Sequence, residues 1–190
     1  MRNRTDHAVL AGFVATMFLG STATPARAAH TWPPAVARAV PGASGFVTIP
    51  GVAMPPDPHH VYKTVFDATR AAARPTDILP ALDMAGSELN AFDVAHVPAT
   101  NVQFVVVFHG EALDGILDDA NYRARFKIAN PNLPVIAAMK KAGTKFYVCG
   151  QNLAFANIDP ATLTRDVTVA SDALIVLMTL QNAGYAQLSY

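Results

Sequence analysis

The chain has 190 residues, of which 15% are charged, with 14 Lys and Arg balanced against 14 Asp and Glu, and a single cysteine. That length gives one domain with a real core, and the balanced charge leaves no electrostatic footprint for nucleic acid. One cysteine excludes an internal disulfide.

The first residues have the three-part shape of a secretory signal. Arg2 and Arg4 give a basic start, Ala8 to Gly20 is an apolar run without charge, and Ala26-Arg27-Ala28 supplies small residues for a peptidase. Cleavage is therefore expected after Ala28, and the chain is expected to be periplasmic or secreted. The run is shorter than the roughly 20 residues of a permanent membrane helix. Arg2-Asn3-Arg4 is not a twin-arginine pair. Removal of 1–28 leaves 162 residues with 11 basic and 13 acidic side chains. No second long apolar run and no basic amphipathic helix remain, so no membrane partner is predicted. An exported chain with one cysteine suggests intermolecular pairing or a free reactive sulfur. A buried, inert sulfur is the competing reading.

Residues 29–58 carry Pro33, Pro34, Pro41, Pro50, Pro55, Pro56 and Pro58, which exclude helix and central strand. This segment reads as an extended arm, laid over the surface or projecting from it, ahead of a domain at 59–190. Val61 to Phe66 is rich in β-branched and aromatic residues and predicts a first strand ending near Asp67. Leu79, Leu82, Gly86, Leu89 and Phe92 recur at helical spacing and predict a helix over 78–94, capped by Thr76 or Asp77. Phe104 to Phe108 is an unbroken apolar run, as in a strand covered on both faces of a parallel sheet.

Glu111 to Asp119 reads as helical, and the polar stretch Asn121 to Asn132 as its interruption. A helix over 133–142 is stopped by Gly143. Strands are predicted at Lys145 to Cys149, Val167 to Val169 and Tyr185 to Ser189. Helices are predicted from Gln151 to Ala156 and around Ala173, Leu174, Leu177 and Gln181. Strands alternating with helices predict an α/β fold: about five mostly parallel strands with helices on both faces.

Open α/β sheets place their sites at the carboxyl ends of the strands, where this reading puts Asp67, His109 and Cys149. Gly110 and Gly150 follow two of them, as needed where backbone bends sharply or lets a ligand approach. Cys149 precedes a helix start at Gln151-Asn152, whose amides would favour the reactive thiolate. His109 reads as a base or donor to a sulfur anion, or simply as the polar end of a buried strand. Asp67 reads as a third member or as a turn cap. His59 and His60 are adjacent in extended chain and point to opposite faces, so no metal is expected. No GxGxxG, P-loop, HExxH or GxSxG motif occurs, and no cofactor is expected.

Three segments resemble the DsrE/DsrF-like family. Val105-Val106-Val107-Phe108-His109-Gly110 is similar to its strand and turn. Lys140 to Leu153, containing Phe146-Tyr147-Val148-Cys149-Gly150-Gln151-Asn152, resembles its helix, strand and cysteine loop. Leu180 to Ala186 resembles its last helix and strand. The resemblance covers roughly 60–190. It implies a three-layer α/β/α fold and homo-oligomers, often trimers or hexamers. In cytoplasmic sulfur-relay members the cysteine at the place of Cys149 carries a persulfide handed between proteins. The departure is the export signal, which implies either the same chemistry with a different sulfur donor or acceptor, or a fold that has become a binding module.

Three functions compete at this point. In the first, Cys149 and His109 handle sulfane sulfur as a persulfide, within a binding surface of Asp67, Gly110, Gly150, Gln151 and Asn152. In the second, the chain is a non-catalytic oligomeric small-ligand binding protein with a buried structural Cys149. The third is a Cys-His-Asp hydrolase, disfavoured by the missing nucleophile elbow. Exposure of Cys149 separates the first two.

Overall fold

A computed structural model of the protein describes residues 31–190; the predicted signal segment and its cleavage site lie outside the described residues. Five strands form one all-parallel sheet: β1 (Tyr62–Ala68), β2 (Val102–Phe108), β3 (Lys145–Cys149), β4 (Thr168–Ala170) and β5 (Ala186–Ser189). Their order is β4-β3-β2-β1-β5. Parallel neighbours need long crossovers, which carry α1 (Pro80–Val94), α2 (Asp119–Phe126), α3 (Asn132–Lys141), α4 (Gly150–Phe155) and α5 (Ala173–Asn182). The expected α/β sandwich is the architecture found.

Side-chain alternation along the strands sorts the core into two clusters. Phe66, Phe104, Val106, Phe108, Phe146 and Val148 pack with Leu82, Leu89, Ile136 and Met139 of α1 and α3. On the opposite face Val65, Val105, Val107 and Cys149 pack with Ala173 and Leu177 of α5. The cause is handedness. The steps β1 to β2 to β3 to β4 run in one direction and the return to β5 runs in the other. Right-handed crossovers therefore put α5 on the opposite face from α1 and α3. Each fully buried aliphatic or Phe side chain contributes about 1.5–3 kcal/mol by leaving water.

The helix starts differ from expectation in two places. Neither Thr76 nor Asp77 caps α1: its N-cap is Leu79, without a side-chain cap, and Pro80 opens the helix. Asp77 is instead held by Arg74 at 2.9 Å, and the Leu79 N–H donates to Asn132 Oδ1 at 2.8 Å. The stretch read as an interruption holds all of α2 but its first two residues. Asp118 caps it by accepting the Asn121 N–H, Arg123 bonds Asp119 at 2.7 Å, and Lys127 ends it in the left-handed region. Only Tyr122 of α2 is buried, so its sequence shows no apolar periodicity. Polar capping and an i,i+4 ion pair carry the helix instead. The segment Gly110–Ile116 is a 3₁₀ helix rather than an α-helix.

Residues 38–44 lie against α1. Val36 and Phe46 pair as an antiparallel bridge. Asn90 of α1 accepts from the Val40 N–H at 2.9 Å and donates to the Ser44 carbonyl at 3.1 Å. Gly86 is required here, because a Cβ on it would lie 2.5 Å from the Ala43 methyl. Residues 47–56, in contrast, make no hydrogen bond to another described residue.

Candidate functional site

Asp67 ends the α5-facing row of β1 and is only 8% exposed. Its carboxylate accepts from three side chains. His109 Nε2 lies 2.5 Å from Oδ1, while Gln187 Nε2 and Ser189 Oγ donate to Oδ2 at 3.0 and 3.2 Å. A buried carboxylate persists only when its lone pairs are filled, and these three donors fill them. With Nε2–H donating to Asp67, the ring presents Nδ1 as an acceptor, and Nδ1 makes no hydrogen bond to a described residue. Asp67 stands on β1, beside which the strand order reverses toward β5. Its carboxylate therefore receives His109 from the end of β2 on one side and Gln187 and Ser189 from β5 on the other, at the carboxyl ends where open α/β sheets place their sites.

Gln187 and Ser189 were not among the residues singled out from sequence. Their signal is the alternation of β5: residues 187 and 189 share a face, and Gln187 pairs with Val65 and Ser189 with Asp67 in the β1 register. Tyr190 then closes the edge, its N–H donating to the Asp67 carbonyl at 3.0 Å and its carbonyl accepting from Thr69 at 2.9 Å.

Cys149 ends the corresponding row of β3. Val107 pairs with Tyr147 and Phe108 with Val148, so one more step of the same register sets His109 opposite Cys149 on the α5 face. The cysteine is 3% exposed and makes no side-chain hydrogen bond among the described residues. It packs with Val65, Val105 and Val107 under Ala173 and Leu177.

The other expected residues divide by role. Gly110 takes a φ of +60°, the left-handed region that glycine enters without strain. Its N–H donates to Asn152 Oδ1 at 2.8 Å, joining the end of β2 to α4. Gly150 is structural: a Cβ on it would lie 2.7 Å from the Ala170 carbonyl oxygen of β4. Gln151 is exposed and reaches the Ser171 carbonyl at 3.5 Å, away from the Asp67–His109 pair. Among the described residues no three His, Cys, Asp or Glu side chains converge to hold a metal. His60 packs edge-on against Tyr62. No helix of the described residues is long and apolar enough to cross a membrane.

The arrangement thus holds a sulfur and a partnered imidazole on neighbouring strand ends. Comparison with known proteins adds a family. No curated protein matches the chain. Solved structures are similar to it, two of them as follows. One is a protein of unknown function, MTH1491 from Methanobacterium thermoautotrophicum, 18% identical over 68% of this chain and 99% of that one, with a TM-score of 0.44. The other is the ychN protein from E. coli, 12% identical over the same shares, with a TM-score of 0.47. The model of the DsrE/DsrF-like family matches residues 60–190, which hold all five strands and every candidate site residue. The chain belongs to the DsrE/DsrF-like family.

Proposed function

We propose that this protein handles sulfane sulfur as a persulfide on Cys149. One observation supports the reading: Cys149 ends β3 and His109 directly follows the neighbouring β2, with its imidazole held by Asp67. In the proposed step His109 Nδ1 takes the thiol proton and Sγ attacks the outer sulfur of a donor persulfide. The new bond joins Sγ to that sulfur. The donor's S–S bond breaks, its electron pair leaves on the donor thiolate, and the proton follows. No net oxidation occurs. Family membership supports the sulfur chemistry.

The test is intact mass after incubation with inorganic polysulfide. The wild type is expected to gain the mass of one sulfur atom, lost again with dithiothreitol, and Cys149→Ser to gain none.

The 3% exposure of Cys149 favours a second reading, in which the chain is a non-catalytic homo-oligomeric small-ligand binding protein and the thiol is structural. Absence of sulfur uptake, with alkylation only after unfolding, selects it.

In either case we infer export to the periplasm or beyond. The support is the basic start, apolar run and Ala26-Arg27-Ala28 of the sequence. N-terminal sequencing of exported protein is expected to begin near Ala29. We also infer homo-oligomers, built on α5. Its outer residues Leu174, Ile175 and Met178 are 62%, 52% and 55% exposed, and a helix apolar on all sides is a helix that becomes buried.

A further inference from the structure

A cavity of about 820 Å³ lies away from Cys149, over the opposite face of β1 and β5. It exists because α1 covers β1 and β2, whereas no helix covers β5 on that side. The arm spans the gap instead. Its floor is Phe66, Phe104 and Leu188, and the arm supplies Ile49 and Val52 as the outer wall. The inner wall is one stripe of α1 and its C-cap, at Glu88, Ala91, Phe92 and Ala95, with the spacing i, i+3, i+4, i+7. The small Ala91 and Ala95 leave the space unfilled. The volume falls within the range of sites that enclose small molecules, about 300–1,000 Å³.

Two further observations say what would occupy it. Residues 47–56 make no hydrogen bond to another described residue, so that part of the arm is held over the cavity by apolar contact alone, and a guest can lift it without breaking polar pairs. Glu88 is the one acidic or basic side chain on the lining, and it has neither an ion pair nor a hydrogen bond among the described residues. A half-buried carboxyl without a donor is costly unless a ligand supplies one. Burial already pushes this carboxyl up from its ordinary range.

We propose that this cavity binds a small amphiphilic amine, its apolar body between the arm and the sheet and its ammonium group against Glu88. The same geometry rejects fatty carboxylates, which would bring a second negative charge to the same wall. This site is separate from the Cys149 site and does not depend on sulfur chemistry there.

The probe is N-phenyl-1-naphthylamine, whose fluorescence rises in apolar pockets, displaced by dodecylamine, dodecanol or laurate below their micelle concentrations. Dodecylamine is expected to displace it at a concentration at least about tenfold lower than laurate, since a charge-assisted hydrogen bond is gained in one case and like charges meet in the other. Glu88→Gln is expected to bring the two within about threefold while the probe still binds. Ala95→Trp, at the rim, is expected to reduce probe binding in a protein whose circular dichroism is unchanged. Absence of probe binding by the wild type overturns the proposal. So does equal displacement by amine and laurate, or an amine preference that survives in Glu88→Gln.

Discussion

Gly110 and Asn152 are joined by a 2.8 Å hydrogen bond from the glycine N–H to the side-chain oxygen, which ties the end of β2 to the first turn after Cys149. The thiol lies directly before that turn and under Ala173 and Leu177 of α5, so loosening of the turn is one route by which it becomes accessible. Asn152→Ala removes a bond of about 1 kcal/mol, and native-state opening is expected to rise about fivefold. Alkylation of Cys149 by iodoacetamide in folded protein, followed by mass, reads this directly. A rate equal to or below that of the wild type would show that the tie does not guard the thiol.

Asp67→Ala strips the acceptor from His109, Gln187 and Ser189 together. Leaving these donors unpaired at a part-buried site is expected to cost about 2–3 kcal/mol in urea unfolding. Asp67→Asn retains one acceptor oxygen and is expected to cost less. If the two variants unfold alike, the three hydrogen bonds are not what stabilises this end of the sheet.

Gly150→Ala places a methyl group against the Ala170 carbonyl oxygen, 2.7 Å away. Since that oxygen belongs to the backbone of β4, the strand has to move, and a loss of about 1–3 kcal/mol is expected. The mid-point of thermal unfolding measures it. A neutral substitution would show that the close approach of β4 does not require glycine at 150.

Glu88 gives a pH dependence whose sign follows from its environment. Burial raises its folded pKa above the ordinary 4.5, so the folded state binds this proton more tightly than the unfolded state does. Stability from this group is then greatest below about pH 4.5 and is lost as pH rises through the raised folded value. Glu88→Gln is expected to be more stable than wild type at pH 7, with the advantage vanishing at the acid end. Asp114, also raised by burial, contributes the same slope in both proteins and cancels in the difference. Thermal melts of the pair across pH 4 to 8 decide it; a constant gap would mean that charge at Glu88 is not responsible.

Leu174→Glu with Met178→Glu puts two charges on the outer side of α5. Light scattering is expected to show an oligomer for wild type and a monomer for the double variant, with unchanged helix content. A wild-type monomer at about 10 μM, a micromolar contact being the weak end for association, would remove the inference of self-assembly.

The fold was legible because apolar runs and turn residues agree along most of the chain. Phe104 to Phe108 and Lys145 to Cys149 carry their strand character locally, and Gly143 marks a helix end by its φ of +99°. The α2 helix was not legible, since it buries only Tyr122 and depends on Asp118 and Asp119 finding local partners. The Asp67–His109 contact follows from strand-end placement, whereas Gln187 and Ser189 join only through a pairing with β5 that strand spacing does not dictate. The cavity beside Glu88 was hidden for a related reason. Proline content excludes helix and central strand from the arm but does not say which wall the arm will form.

The β4-β3-β2-β1-β5 order has a consequence for synthesis. Thr64 to Asp67 take their second hydrogen-bonded neighbour from Ala186 to Ser189, the last strand to be made. Until it docks, one side of β1 is an open strand edge flanked by Val65 and Phe66, a template for pairing with another chain. Such late, long-range closure is slow relative to the local steps that precede it. The nascent protein therefore carries an aggregation hazard at β1, and conditions that delay β5 docking are expected to lower soluble yield before they affect the finished molecule.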